Sequence, residues 1–160
     1  STKLPILNFS TGSLGHGLPN SVGYAYELKQ NKIKKKIICL MGDQELMEGT
    51  TWESLHAIDN YKLKNIILII DRNNSDYRSI KFLKLKKKLS VFSDKIFEIN
   101  GHDINSIEKV LNNCIKSKSF NIVIANTIKG YGIREMENNP AWHHRSPSKE
   151  ELEQMIKELS

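Results

Sequence analysis

Short runs of consecutive apolar residues alternate along this chain with stretches in which apolar residues recur every three or four positions. Ile37-Ile38-Cys39-Leu40-Met41 and Ile66-Ile67-Leu68-Ile69-Ile70 are the clearest runs. Each reads as a strand buried on both faces, because a half-exposed strand would alternate polar and apolar residues. Ile96 to Ile99 and Asn121 to Ala125 are two further strand candidates. Helical spacing links Leu18, Val22, Ala25 and Tyr26, with a start near Leu18-Pro19, since proline suits a first helical turn. A helix near residues 50 to 61 carries Trp52, Leu55 and Ile58. Phe82, Leu83, Leu85 and Leu89 interleave with lysines, predicting an amphipathic surface helix. Ile104, Ile107, Leu111 and Cys114 mark another helix. Ser148 and Glu151 form a capping box ahead of Leu152, Met155, Ile156 and Leu159. The alternation predicts an α/β fold, a doubly wound and mainly parallel sheet with helices on both faces, in one domain over residues 1–160.

Composition adds limits. The 160 residues suffice for one domain with a real core and are too few for two ordinary ones. No apolar run reaches the length of a membrane span, and the first residues lack the apolar region of a secretory signal. The net charge of +6 comes largely from the clusters Lys32 to Lys36 and Lys81 to Lys88. These read as solvated faces, so neither nucleic acid nor a membrane is the expected partner. The two cysteines, Cys39 and Cys114, lie within apolar periodic segments. They read as reduced core residues of a cytoplasmic protein, with no disulfide or metal spacing.

Candidate chemistry collects at the ends of the two clearest strands. Asp43 follows the first, in Gly42-Asp43-Gln44-Glu45-Leu46-Met47-Glu48-Gly49. Asn73 follows the second, in Asp71-Arg72-Asn73-Asn74. Open α/β sheets place their ligand crevice at the carboxyl ends of strands. A carboxylate, an amide oxygen and a nearby carbonyl, for which Ser75 is the candidate, make a hard oxygen set suited to Mg²⁺ or Ca²⁺ with phosphate oxygens. The same residues also read as a helix cap and a turn. Gly12, Gly15 and Gly17 precede a helix N-terminus, where backbone can approach an anion closely, or are ordinary loop glycines. His143 and His144 beside Trp142 suit packing, an exposed turn, or an acid–base or phosphate contact.

Taken in order, these segments resemble the thiamine diphosphate-binding half of transketolase. Ser10-Thr11-Gly12-Ser13-Leu14-Gly15-His16-Gly17-Leu18 is similar to that family's glycine-rich cofactor loop. Gly42 to Gly49 resembles its Gly-Asp-Gly-Glu-Leu-x-Glu-Gly signature, and Asn73 falls where the second metal ligand does. Asn100-Gly101-His102-Asp103, Asn126-Thr127-Ile128-Lys129-Gly130-Tyr131-Gly132 and Met136 to His143 extend the match over nearly the whole chain. The last string is similar to the separately encoded N-terminal subunits of split transketolases.

The resemblance implies that Asp43, Asn73 and the Ser75 carbonyl bind Mg²⁺, which bridges to the diphosphate. It implies that Gly12 and Leu14 line the cofactor, and that the backbone at Gln44 approaches the diphosphate. Glu48 is implied at a subunit interface, in an acid network reaching the partner's activating glutamate, and His143 facing the diphosphate and the reacting centre. The implied activity is transfer of a two-carbon ketol unit between sugar phosphates, performed with a separate pyrimidine-binding subunit in a hetero-oligomer. Three departures stand out: Gln44 replaces the signature's third glycine, His16 replaces a glutamine, and the segment between Asn73 and Gly101 is short and lysine-rich. The family's residues before the glycine loop have no counterpart here. Alternatives are a component of another thiamine diphosphate enzyme, of the 2-oxo-acid dehydrogenase or deoxyxylulose phosphate synthase type, or a degenerate, non-catalytic binding partner.

Overall fold

The computed structural model describes residues 7–73 and 83–159. Four strands, β1 (Ile37–Gly42), β2 (Ile66–Arg72), β3 (Ile96–Asn100) and β4 (Asn121–Asn126), form a sheet in the order β1-β2-β4-β3. Every pairing is parallel. The helices are α1 (Gly17–Gln30), α2 (Gly49–Asn60), α3 (Leu85–Leu89), α4 (Ile104–Lys116) and α5 (Lys149–Glu158). Among the described residues, no helix is long and apolar enough to cross a membrane.

The period-two geometry of strands divides each apolar run between two cores. Cys39, Met41, Ile66, Leu68, Ile70, Ile122 and Ile124 join Leu18 and Ala25 of α1 and Leu55 and Ile58 of α2 on one face. Ile67 and Val123 meet Cys114, Val110 and Leu111 of α4 on the other. Helices therefore cover both faces, and β2 and β4 lie in the middle of the sheet. Both cysteines are buried and free, and burial pushes both thiols up from their ordinary range.

The reading of β1 as buried on both faces is corrected. Cys39 and Met41 are 4% and 3% exposed, but Ile38 and Leu40 are 53% and 70% exposed. Two features of position explain this. Among the described strands β1 pairs only with β2, at the sheet's edge, and α4 packs over β3 and β4 at the far side. An unbroken apolar run reports β-propensity and local burial, not what lies across the edge. Of the lysine-rich segment, Lys81 and Phe82 lie outside the described residues; Leu85–Leu89 form one helical turn, α3, with Leu85 and Leu89 buried and Lys86 and Lys87 exposed. At α5 the capping box is formed: Ser148 N–H donates to Glu151 Oε2 at 2.8 Å, and Glu151 N–H to Ser148 Oγ at 3.2 Å.

Candidate cofactor site

Parallel strands bring all their carboxyl ends to one rim. Gly42 stands opposite Asp71 in the β1–β2 register, so Asp43 and Asn73 leave neighbouring strands one residue out of step. Adjacent strands lie about 4.8 Å apart. Asp43 is 7% exposed and opens a 3₁₀ turn, Asp43–Met47, that leads into α2. The N-cap position of α2 is Glu48, whose side chain makes no capping bond, so Asp43 stands one short turn ahead of that helix. Asn73 turns the donor end of its amide to Asp71, with Nδ2 3.3 Å from Oδ2. The other oxygen of Asp71 accepts from the Thr127 hydroxyl at the end of β4. Asp71 thus orients Asn73 and ties two strand ends together. Ser75 lies outside the described residues.

The glycine loop is fastened to this rim by Glu45. Its two carboxylate oxygens accept from Gly15 N–H at 2.9 Å and Gly42 N–H at 3.0 Å. Thr50 Oγ1 adds a second tie, donating to Gly15 O at 2.9 Å. Gly15 has φ +75°, and a Cβ there would stand 2.5 Å from Glu48 Cβ, so both the conformation and the space require glycine. Glu48 is half-buried against this loop. Leu14 is 51% exposed, and Gly12 is exposed with open space around it. Gln44 is half-buried in the 3₁₀ turn and has no positive φ. The backbone at that point does not itself demand glycine.

His143 is delivered by the segment that follows β4. Beyond β4 the chain turns through Gly130 and returns to a 3₁₀ turn, Pro140–His143. Trp142 is buried there, with the Arg145 guanidinium 3.6 Å from its ring centroid, while His143 and His144 are exposed. Lys129 Nζ contacts His143 Nδ1, a contact in which the ammonium donates and the imidazole accepts. Trp142 therefore anchors the turn, and His143 and Lys129 stand together at the surface beside it.

Sequence reasoning passed over Asp71, Glu45 and Lys129 as functional residues. All three sit inside the motifs, but their value is relational: each acts on a backbone amide or side chain delivered by a distant segment. The donor set fits a hard divalent cation held by one carboxylate and one amide oxygen with phosphate. Among the described residues, no group of three or more His, Cys, Asp or Glu is placed to hold a metal ion.

Residues 2–160 match the family described as "Transketolase, thiamine diphosphate binding domain". An apulose-4-phosphate transketolase subunit of Actinobacillus succinogenes is 40% identical over 98% of this chain and 59% of its own length. The protein of the same name from Phocaeicola vulgatus is 32% identical, over 99% and 58%. Human transketolase is 32% identical over 98% of this chain and 26% of its own length. The chain thus spans about three-fifths of the length of the two apulose-4-phosphate transketolase subunits it matches. Among solved structures, transketolase from Campylobacter jejuni superposes with a TM-score of 0.84 at 31% identity, over 93% of this chain and 25% of that one. On the family match, these relatives and the parallel α/β fold, this chain belongs to the transketolase thiamine diphosphate-binding domain family.

Proposed function

We propose that this chain is the diphosphate- and metal-binding component of a split transketolase-type transferase, working on sugar phosphates together with a separate pyrimidine-binding subunit. The observation that carries the reading is the juxtaposition of Asp43 and Asn73 on adjacent strand ends, beside a glycine loop that Glu45 ties to the same rim. Asp43 and Asn73, with the Ser75 carbonyl, would hold Mg²⁺ against the diphosphate; Ca²⁺ suits the same oxygens. Gly12, Leu14 and the backbone at Gln44 would line the cofactor. Lys129 would offset diphosphate charge, His143 beside it would face the diphosphate and the reacting centre, and Glu48 would face the partner's acid network. Thiamine diphosphate, when bound, supplies the nucleophilic carbon that carries the two-carbon ketol unit. This chain's own part is to hold the charged tail and position protons. Two relatives are themselves named as subunits, which supports the need for a partner, and their named substrate makes apulose 4-phosphate the first sugar phosphate to assay.

Calorimetric titration of thiamine diphosphate into the chain mixed with its partner tests the reading. Binding is expected to require Mg²⁺, and Asp43→Ala is expected to weaken it at least tenfold, about 1.4 kcal/mol. Equal affinity with and without Mg²⁺, or an unchanged Asp43→Ala variant, would refute it.

A further inference from the structure

The loop that leaves β4 carries Lys129 outward and returns to deliver His143, and its outward leg is held by His102. This residue lies in the turn between β3 and α4. The turn is fastened to β4, since Gly101 N–H donates to Asn126 O at 2.7 Å. His102 N–H donates to Asn100 Oδ1 at 2.9 Å, which fixes the residue at the start of the turn. Its imidazole makes two contacts to the loop. Nε2 is 2.8 Å from Ile128 N, and the ring stacks on Tyr131 with centroids 3.8 Å apart and planes 18° from parallel.

A backbone N–H can only donate, so Nε2 must be the accepting nitrogen and the proton of the neutral ring must lie on Nδ1. The constraint then passes along the chain. Ile128 is followed by Lys129, and Lys129 O accepts from Asn138 N–H at 2.9 Å, joining the two legs of the loop. Asn139 then caps the Pro140–His143 turn, its Oδ1 accepting from Ala141 N–H at 3.1 Å. Backbone links and hydrogen bonds in alternation thus lead from His102 to Lys129 and to the turn that carries His143.

Resting on the function proposed above, we propose that neutral His102 is the positioning residue for Lys129 and His143, and that its protonation unfastens the loop. An imidazolium carries N–H on both nitrogens and cannot accept from Ile128. The fastening therefore needs the neutral ring, and acid that protonates it removes the acceptor. The charged and titratable groups on the surrounding elements are Asp103 at the start of α4, Glu98 and Arg72 paired at the strand ends, and Lys129 and Tyr131 on the loop itself.

Amide hydrogen exchange on the full chain, read at Ile128 and across residues 127–131, tests this without cofactor. After correction for intrinsic exchange, wild-type protection of Ile128 at pH 7.5 is expected to fall roughly two- to tenfold at pH 5.5, the range for one hydrogen bond. His102→Phe, which keeps a ring against Tyr131 but has no acceptor, is expected to show the low value at both pH values. His102→Gln, whose amide oxygen accepts and does not titrate, is expected to restore protection at both. In the partnered complex, thiamine diphosphate affinity at pH 7.5 is expected to fall for His102→Phe and to recover for His102→Gln. Equal protection in wild type and His102→Phe, or a wild-type value that does not change with pH, would overturn the proposal even if the complex binds the cofactor. Failure of the wild-type complex to bind the cofactor, with the exchange pattern intact, would overturn the functional reading and leave the fastening of the loop standing.

Discussion

Glu45 offers the sharpest test of how the rim is built. Replacing it by alanine removes two hydrogen bonds at once, from Gly15 N–H at 2.9 Å and Gly42 N–H at 3.0 Å. Hydrogen bonds to a charged partner contribute about 1.5–3 kcal/mol each, and the half-exposure of Glu45 places these at or below the low end. Part of the structure survives: Thr50 still donates to Gly15 O, and Thr51 Oγ1 to the backbone oxygen of residue 45. The expected loss is about 2–3 kcal/mol, which for a chain of this size lowers the melting temperature by about 5–10 °C. Glu45→Gln keeps the shape and one accepting oxygen but sets its amide against the other N–H, so its loss is expected to fall between wild type and alanine. Urea denaturation gives the free energies, and amide exchange at Gly15 and Gly42 locates them. An alanine variant within about 0.5 kcal/mol of wild type, the span of ordinary surface substitutions, with Gly15 equally protected, would show that Glu45 fastens nothing.

Three further outcomes are expected. Gly130 has φ +76°, and a Cβ there would stand 2.5 Å from Met136 O, so Gly130→Ala is expected to cost about 1–3 kcal/mol in a thermal melt; a variant as stable as wild type would refute the tight turn. Gln44→Gly is expected to lower stability by about 0.5–1 kcal/mol, because it frees an unstrained backbone, and to leave cofactor affinity within about twofold; a large gain in affinity would show that the glutamine side chain obstructs the diphosphate. Burial raises the Cys39 thiol, so the folded chain holds that proton to higher pH than the unfolded chain does. The associated stability is present below the ordinary thiol range and is lost as pH rises through the folded value; Cys39→Ser is expected to flatten that alkaline decline, and an unchanged slope would refute it.

The element pattern was legible because each strand is a compact apolar run and each longer helix has its own spacing or cap, down to Ser148 and Glu151. What periodicity could not reveal was order across the sheet. The run Ile37–Met41 looks the same whether a strand lies in the middle or at an edge, so the exposure of Ile38 and Leu40 emerged only with the topology. The site divides along a similar line. Asp43 and Asn73 were visible because position after a strand predicts position at the rim. Glu45, Asp71, Lys129 and His102 were not, since their partners lie 30, 56, 14 and 26 residues away and pairing over such distances is set by the fold.

The strand order also dictates a schedule for folding. β4 is the last of the described strands in the chain, yet it enters between β2 and β3, and among these strands it is the only one that β3 pairs with. Until residues 121–126 are in place, β3 waits for that pairing and one edge of β2 lies open along Ile67 to Arg72. Sheets closed by such distant pairings fold slowly, because loop closure must come before the contacts that reward it. A bare isoleucine-rich edge is also a template for pairing with other chains. The interval before the fourth strand inserts is therefore when this protein is most exposed to aggregation. The contacts of Thr127 with Asp71 and of Lys129 with His143 form only when that interval ends.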